Sequence, residues 1–304
     1  MDDDSRSRSA DPLGRTIRER AAPADLLLLS IAPAVLLAVY ALPTATREAL
    51  VFEYAAPTVR TAVASPFVHF RWSHLLFNLG GYVLVAGTAY VLSVAADRRR
   101  EFVIVFASLL LASPPLLSAL NLTIVRRGVA YGFSGVVMVY YGTLAIAIAV
   151  HAQQRLDVSD ARSVAPLLFF LGLLVVTTQT LRAVLGRPVT VAVEGVPTSV
   201  TWVLVATLAE LLVLLALVVT LYALSIADGD PIGRQLRAAV ERSGDAELAV
   251  SALLLFLAVP FATFPPDPVS GTRVFNLYVH AVGYALGFIA AYLYHVLGRS
   301  GDRS

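Results

Sequence analysis

The chain alternates long apolar blocks with short polar segments, and eight of the blocks have the length of a bilayer-crossing helix. They run over residues 26–42, 74–96, 102–122, 133–150, 164–181, 200–226, 248–264 and 274–297. A helix rises 1.5 Å per residue, so about 20 apolar residues span the hydrocarbon layer. Within each block the apolar positions fill the whole circumference instead of forming one stripe, as a surface helix of a water-soluble domain would. The expected fold is therefore all-α, a polytopic transmembrane helical bundle. Prolines Pro33, Pro114, Pro115 and Pro260 fall inside blocks, where neighbouring helices must satisfy the carbonyls they release.

Composition strengthens this picture. The 304 residues are 58% hydrophobic and 14% charged, with a mean hydropathy of +0.75. A water-soluble domain needs more polar surface than that. The chain has no cysteine, which excludes a disulfide framework, thiolate metal ligands and a cysteine nucleophile. A net charge of +2, spread along the chain, gives no footprint for nucleic acid.

Residues 1–25 form a polar amino-terminal segment, expected to be disordered or surface-lying. Residues 26–298 form the membrane domain and 299–304 a short tail. The first apolar block lacks a small-residue cleavage signature and reads as a retained helix. With the amino terminus in the cytoplasm of a cell-membrane protein, 15 arginines fall inside and 8 outside, the usual bias. A long outer loop then covers roughly residues 43–68.

Three stretches carry polar groups that such a protein rarely tolerates without use. His74 and Asn78 stand one helical turn apart at the outer start of the second block. Alone, they also fit an interfacial histidine and an interhelical hydrogen bond. Gly132-Phe-Ser134-Gly135 opens the fourth block, where glycines permit close backbone approach and helix-start N–H groups point at a ligand. Alone, it equally fits small-residue packing. His280 precedes Gly283 and Gly287, a small-residue seam in the last block, and an ionisable group there is a functional candidate by default. All three stretches begin blocks that run from outside to inside, so Ser134, His280, His74 and Asn78 are expected at one depth. A serine, a histidine base and two side-chain donors make up an acyl-transfer set.

In this order, His69-x4-His74-x3-Asn78, Gly132-x-Ser134-Gly135 and His280-x2-Gly283-x3-Gly287 resemble the motifs of the rhomboid family of intramembrane serine proteases. The resemblance covers the first four blocks and the last. It implies a six-helix core with about two extra spans and a Ser134–His280 dyad that cuts transmembrane protein substrates within the lipid bilayer. It also implies an oxyanion hole of His74, Asn78 and the Ser134 amide, a supporting His69, and no cofactor or metal. The chain departs from the pattern in several ways. Three blocks, not one, separate Ser134 from His280, and by adjacency the block 248–264 corresponds to the family's mobile fifth helix. The Trp-Arg pair of the first outer loop is missing. Met138 stands where an aromatic often stacks on the histidine, and Val279 replaces a small residue.

Two other readings compete. A rhomboid-like protein that binds membrane clients without cutting them would keep the fold and lose the chemistry. A transporter or channel would use Glu210 and His280 as a polar pathway, although the chain shows no paired half-sequences. Glu210 itself is expected to be protonated or paired inside the bundle, in a structural role. His151 and His295, near span ends, are expected at the interface. Asn121-Leu-Thr123 is a glycosylation sequon that abuts a span.

Overall fold

The computed structural model describes residues 13–124, 128–158, 160–186, 189–193, 196–227, 244–265, 269–270, 273–274 and 276–301. Eight helices among them are long and apolar enough to cross a membrane, and together they form an all-α polytopic bundle. They are α2 (Pro23–Tyr40), α5 (Trp72–Ala95), α6 (Arg99–Asn121), α7 (Ser134–Arg155), α8 (Ala161–Gly186), α9 (Thr201–Ala227), α10 (Asp245–Thr263) and α11 (Leu277–Gly301). Each expected block corresponds to one helix, with ends moved by a few residues. The last starts three residues later than expected, because Arg273–Val274 form a short strand. That helix also runs past residue 298 to Gly301, into the segment read as a tail.

At the amino-terminal side, α1 (Leu13–Arg20) corrects the expectation of disorder for its part of the polar segment. Thr16 is buried, and the Arg20 guanidinium donates to the carbonyl of Ala95 at the end of α5. Residues 1–12 lie outside the described residues, as do 228–243, which carry three of the arginines counted inside.

The serine helix α7 is the centre of the bundle. It is buried continuously from Gly135 to His151, with α5, α6, α8, α10 and α11 packed around it. The α7–α11 contact is the closest, because four glycines remove the side chains between the two backbones. A Cβ on Gly287 would overlap the Val139 carbonyl, and one on Gly142 the Tyr284 carbonyl. A Cβ on Gly283 would sit 2.5 Å from the Gly135 carbonyl oxygen, and one on Gly135 2.5 Å from Val279 Cγ1. In a bilayer, where lipid tails are as apolar as leucine, such close packing is a principal source of helix association.

Three of the proline interruptions are repaired in the same way. Proline has no N–H, so the carbonyl four residues earlier loses its helical donor. The hydroxyl of Tyr82 donates to Leu29 O at 2.7 Å, opposite Pro33. Tyr141 donates to Phe256 O at 3.0 Å, opposite Pro260, and Tyr292 to Arg162 O at 3.4 Å, opposite Pro166. Each bond also ties one helix to another.

The two ends of the bundle differ in character. One end holds ion pairs: Arg99 grips the buried Asp25 carboxylate with two nitrogens, and Arg155 pairs with the buried Asp245. His151 and His295 lie at this end too, but both are buried within the bundle instead of interfacial. His151 Nε2 reaches the Asp245 carbonyl, and His295 approaches Glu101. The other end is capped by the segment between α2 and α5. Here α3 (Thr44–Glu48), β1 (Phe52–Glu53), α4 (Val59–Ala64) and a 3₁₀ turn (Ser65–Phe67) give the long loop its order. β1 pairs with β2 (Val129–Ala130), just before the serine, and Ser118 Oγ donates to the Ala62 carbonyl. Further short hairpins are β3 (Thr190–Val193) with β4 (Val196–Ser199), and β5 (Val269–Ser270) with β6 (Arg273–Val274).

Candidate functional site

The site is built at the loop-capped end, where α5, α7 and α11 begin and α10 finishes. Ser134 is the first residue of α7. The residue before it, Phe133, supplies no side-chain cap. The first N–H groups of a helix have no intrahelical acceptor, and they carry the positive end of the helix dipole. Ser134 therefore sits where a developing negative charge is favoured. The turn leading into it is made by Gly132 at φ +107°, a left-handed conformation that suits glycine. A Cβ there would also lie 2.9 Å from His74 Cε1, so glycine is required twice over. The Gly132 N–H donates to the Ser65 carbonyl at 3.1 Å, anchoring the turn to the 3₁₀ segment.

His280 lies in the first turn of α11 and is 3% exposed. Asn276 fixes the start of that helix: its Oδ1 accepts from the Val279 N–H, and its Nδ2 donates to Asn121 Oδ1 at 2.8 Å. Asn121, the first residue of the sequon, is buried where this bond forms. Between the two helices, His280 Nε2 stands 2.8 Å from Ser134 Oγ. His280 Nδ1 stands 2.8 Å from the carbonyl oxygen of Thr263.

The second contact settles the proton on the ring. A carbonyl only accepts, so in the neutral ring Nδ1 carries the hydrogen and Nε2 presents a lone pair to the serine hydroxyl. Ser134 O–H is thus the donor to Nε2, the polarity a general base requires. Thr263 ends α10, where carbonyls lack helical partners and the dipole is negative. A helix C-terminus on Nδ1 and a helix N-terminus under Ser134 both favour transfer of the proton from oxygen to nitrogen. Phe264 adds an edge-on ring contact to the imidazole at 5.7 Å. These contacts hold His280 although Met138 and Val279 replace the residues expected to steady it. Met138 is fully buried, and Val279 packs on Gly135.

His69, His74 and Asn78 come together beside this pair. His69 Nδ1 donates to the Phe67 carbonyl at 3.2 Å, which leaves Nε2 to accept from Asn78 Nδ2 at 2.7 Å. Burial, with the neighbouring His74 charge second, pushes His69 down to about 4, so the ring is neutral at physiological pH. Asn78 is 1% exposed and keeps a second N–H besides the one given to His69. The His74 ring packs edge-on to His69 at 4.8 Å and lies against Gly132, two residues before the serine. Gly135, Gly283 and Gly287 belong to the seam that brings α7 and α11 together.

Sequence reasoning missed the Thr263 carbonyl, a backbone atom with no residue signature. It also missed Gly142, isolated in an apolar run. Glu210 is a correction: the side chain is exposed on α9, not paired inside the bundle. Among the described residues no cluster of histidine and carboxylate side chains has the arrangement of a metal site. Compared with family models, with curated proteins and with solved structures, the chain matches none of them.

Proposed function

We propose that this chain is an intramembrane serine endopeptidase of the rhomboid type. In this reading it lies in the cell membrane with its amino terminus in the cytoplasm and cuts transmembrane-helix clients near the outer face. The observation that carries the reading is the Ser134–His280 hydrogen bond, with the ring tautomer fixed by Thr263.

The chemistry follows from that geometry. Ser134 Oγ attacks the client's scissile carbonyl carbon while its proton passes to His280 Nε2. The imidazolium is held by Thr263 O, and the oxyanion faces the Ser134 amide at the start of α7, with His74 and the second Asn78 N–H as side-chain donors. The C–N bond then breaks as His280 returns the proton to the leaving amine. Water, deprotonated by the same nitrogen, releases the acyl group from Ser134, which is partly exposed. A client must unwind to be cut, because a helix hides its carbonyls in i to i−4 bonds. Glycine or proline near the end of the client span is therefore favoured.

Co-reconstitution with a single-span client, with product ends mapped by mass spectrometry, tests this reading. Cuts near the outer boundary, slowed when the client's glycine or proline becomes leucine, are the expected result. Cuts near the cytoplasmic boundary, indifference to client helicity, or client binding without cutting would contradict it.

A further inference from the structure

The helix α9 packs on α8 along one side only, and its other side faces away from the bundle. Tyr222 stacks on Phe170 of α8, and Leu215 is buried in that contact. At 100° per residue, Glu210 points away from α8, on the opposite side of the helix. It is exposed, and among the described residues it has no hydrogen-bond or ion-pair partner. It is the tenth residue of a 27-residue helix, at roughly 14 Å from its start, hence within the hydrocarbon layer. A carboxyl facing hydrocarbon there is costly unless another group meets it.

The residues around it have a pattern. Val203, Thr207, Glu210, Leu214, Leu217, Leu221 and Leu224 are all exposed and recur at alternating steps of four and three. That spacing is the seam of a two-stranded coiled coil, and a single polar residue within such a seam fixes its register and partner number. In lipid, where apolar contact alone gives little drive, the polar residue also acts as the adhesive.

We infer that α9 is a dimerisation helix and that its occupant is α9 of a second copy of this chain, in parallel, with the two Glu210 side chains meeting on the two-fold axis. A second copy is the partner the exposed face of α9 favours because the seam is self-complementary. Two-fold symmetry brings Glu210 opposite an identical hydrogen-bonding group at the same depth. No other protein need supply a matching donor. The pairing surface lies away from the α5, α7, α10 and α11 site, since the extensive packing of α9 among the described residues is against α8.

The chain contains no cysteine, which makes the test direct. Single cysteines are placed on the seam (Leu214→Cys, Leu217→Cys) and at exposed positions about 110–130° round the helix (Ala209→Cys, Ala216→Cys). Each full-length protein is then oxidised in native membranes. Disulfide-linked dimers are expected at 214 and 217 and far less at 209 and 216. Glu210→Leu in the Leu214→Cys background is expected to lower cross-linking about five- to thirty-fold, the size of one interhelical polar contact in a bilayer, while Glu210→Gln retains it. Equal cross-linking at all four positions, none at any, or indifference to Glu210→Leu would overturn the inference.

Discussion

The Nδ1 of His280 lies 2.8 Å from the carbonyl oxygen of Thr263, a backbone atom at the end of a neighbouring helix. This contact does for the ring what a side-chain carboxylate does in a three-residue triad: it sets the tautomer and supports the imidazolium. Nitrogen-15 spectra of labelled protein should therefore show His280 with a protonated Nδ1 and an unprotonated Nε2. With five histidines in the chain, the His280→Ala variant assigns the signal. An Nε2–H tautomer would mean that the ring cannot serve as a base toward Ser134.

The position of Thr263 depends in turn on Tyr141, whose hydroxyl satisfies the carbonyl that Pro260 releases in α10. Removing that hydroxyl leaves a buried acceptor without a donor, at a cost of about 1–3 kcal/mol. Tyr141→Phe should lower the Tm in detergent and also slow reaction of Ser134 with an electrophile. Tyr294→Phe, which removes no hydrogen bond found among the described residues, should do neither.

The glycine seam predicts a sharp contrast. Gly287→Ala forces a methyl group against the Val139 backbone, which cannot move aside as a side chain would. A loss of about 3 kcal/mol or more is expected, at or beyond the upper range for overpacking. Gly87→Ala in α5 meets nothing within 4 Å and should gain about 0.5–1 kcal/mol from helix propensity. Equal effects in thermal melts would show that the two helices are not in backbone contact.

His69 predicts a pH effect. Its folded value near 4 lies below the ordinary 6.5, so the unfolded chain binds the proton first. The contribution of His69 to stability should therefore fall as pH drops from about 6.5 to 4 and be constant on either side, with a change of roughly 3 kcal/mol. His69→Gln should flatten that slope. Thermal unfolding at pH 7.5 and 4.5 measures both; an unchanged slope in the variant would assign the effect to another group.

Much of this architecture is legible in the sequence, for particular reasons. Apolar runs of bilayer length, uncharged except for Glu210 in α9, mark all eight helices, because lipid leaves the backbone no alternative. The parity of crossings places Ser134 and His280 at one end, and the 2.8 Å contact between them agrees. The facing of α9 was hidden, since a helix apolar all round gives no stripe to say which side packs inward. The sequence alone therefore places Glu210 in the interior, whereas it lies on the exposed side. His151 and His295 are buried rather than interfacial, which the sequence hides for a related reason: nearness to a span end does not distinguish a buried end from a wetted one. The Thr263 carbonyl could not be read at all, because any residue supplies one.

The measurement closest to the central claim is covalent labelling of the nucleophile. A fluorophosphonate or isocoumarin probe should modify the purified protein in detergent, with the adduct on Ser134. Ser134→Ala should abolish labelling, and His280→Ala should nearly do so, because an unactivated hydroxyl is a poor nucleophile. Asn78→Ala should leave a folded protein whose turnover of a client falls about 10²–10³-fold, the usual effect of losing one oxyanion donor. Labelling that persists in Ser134→Ala, or a folded wild-type protein that never reacts, would contradict the account.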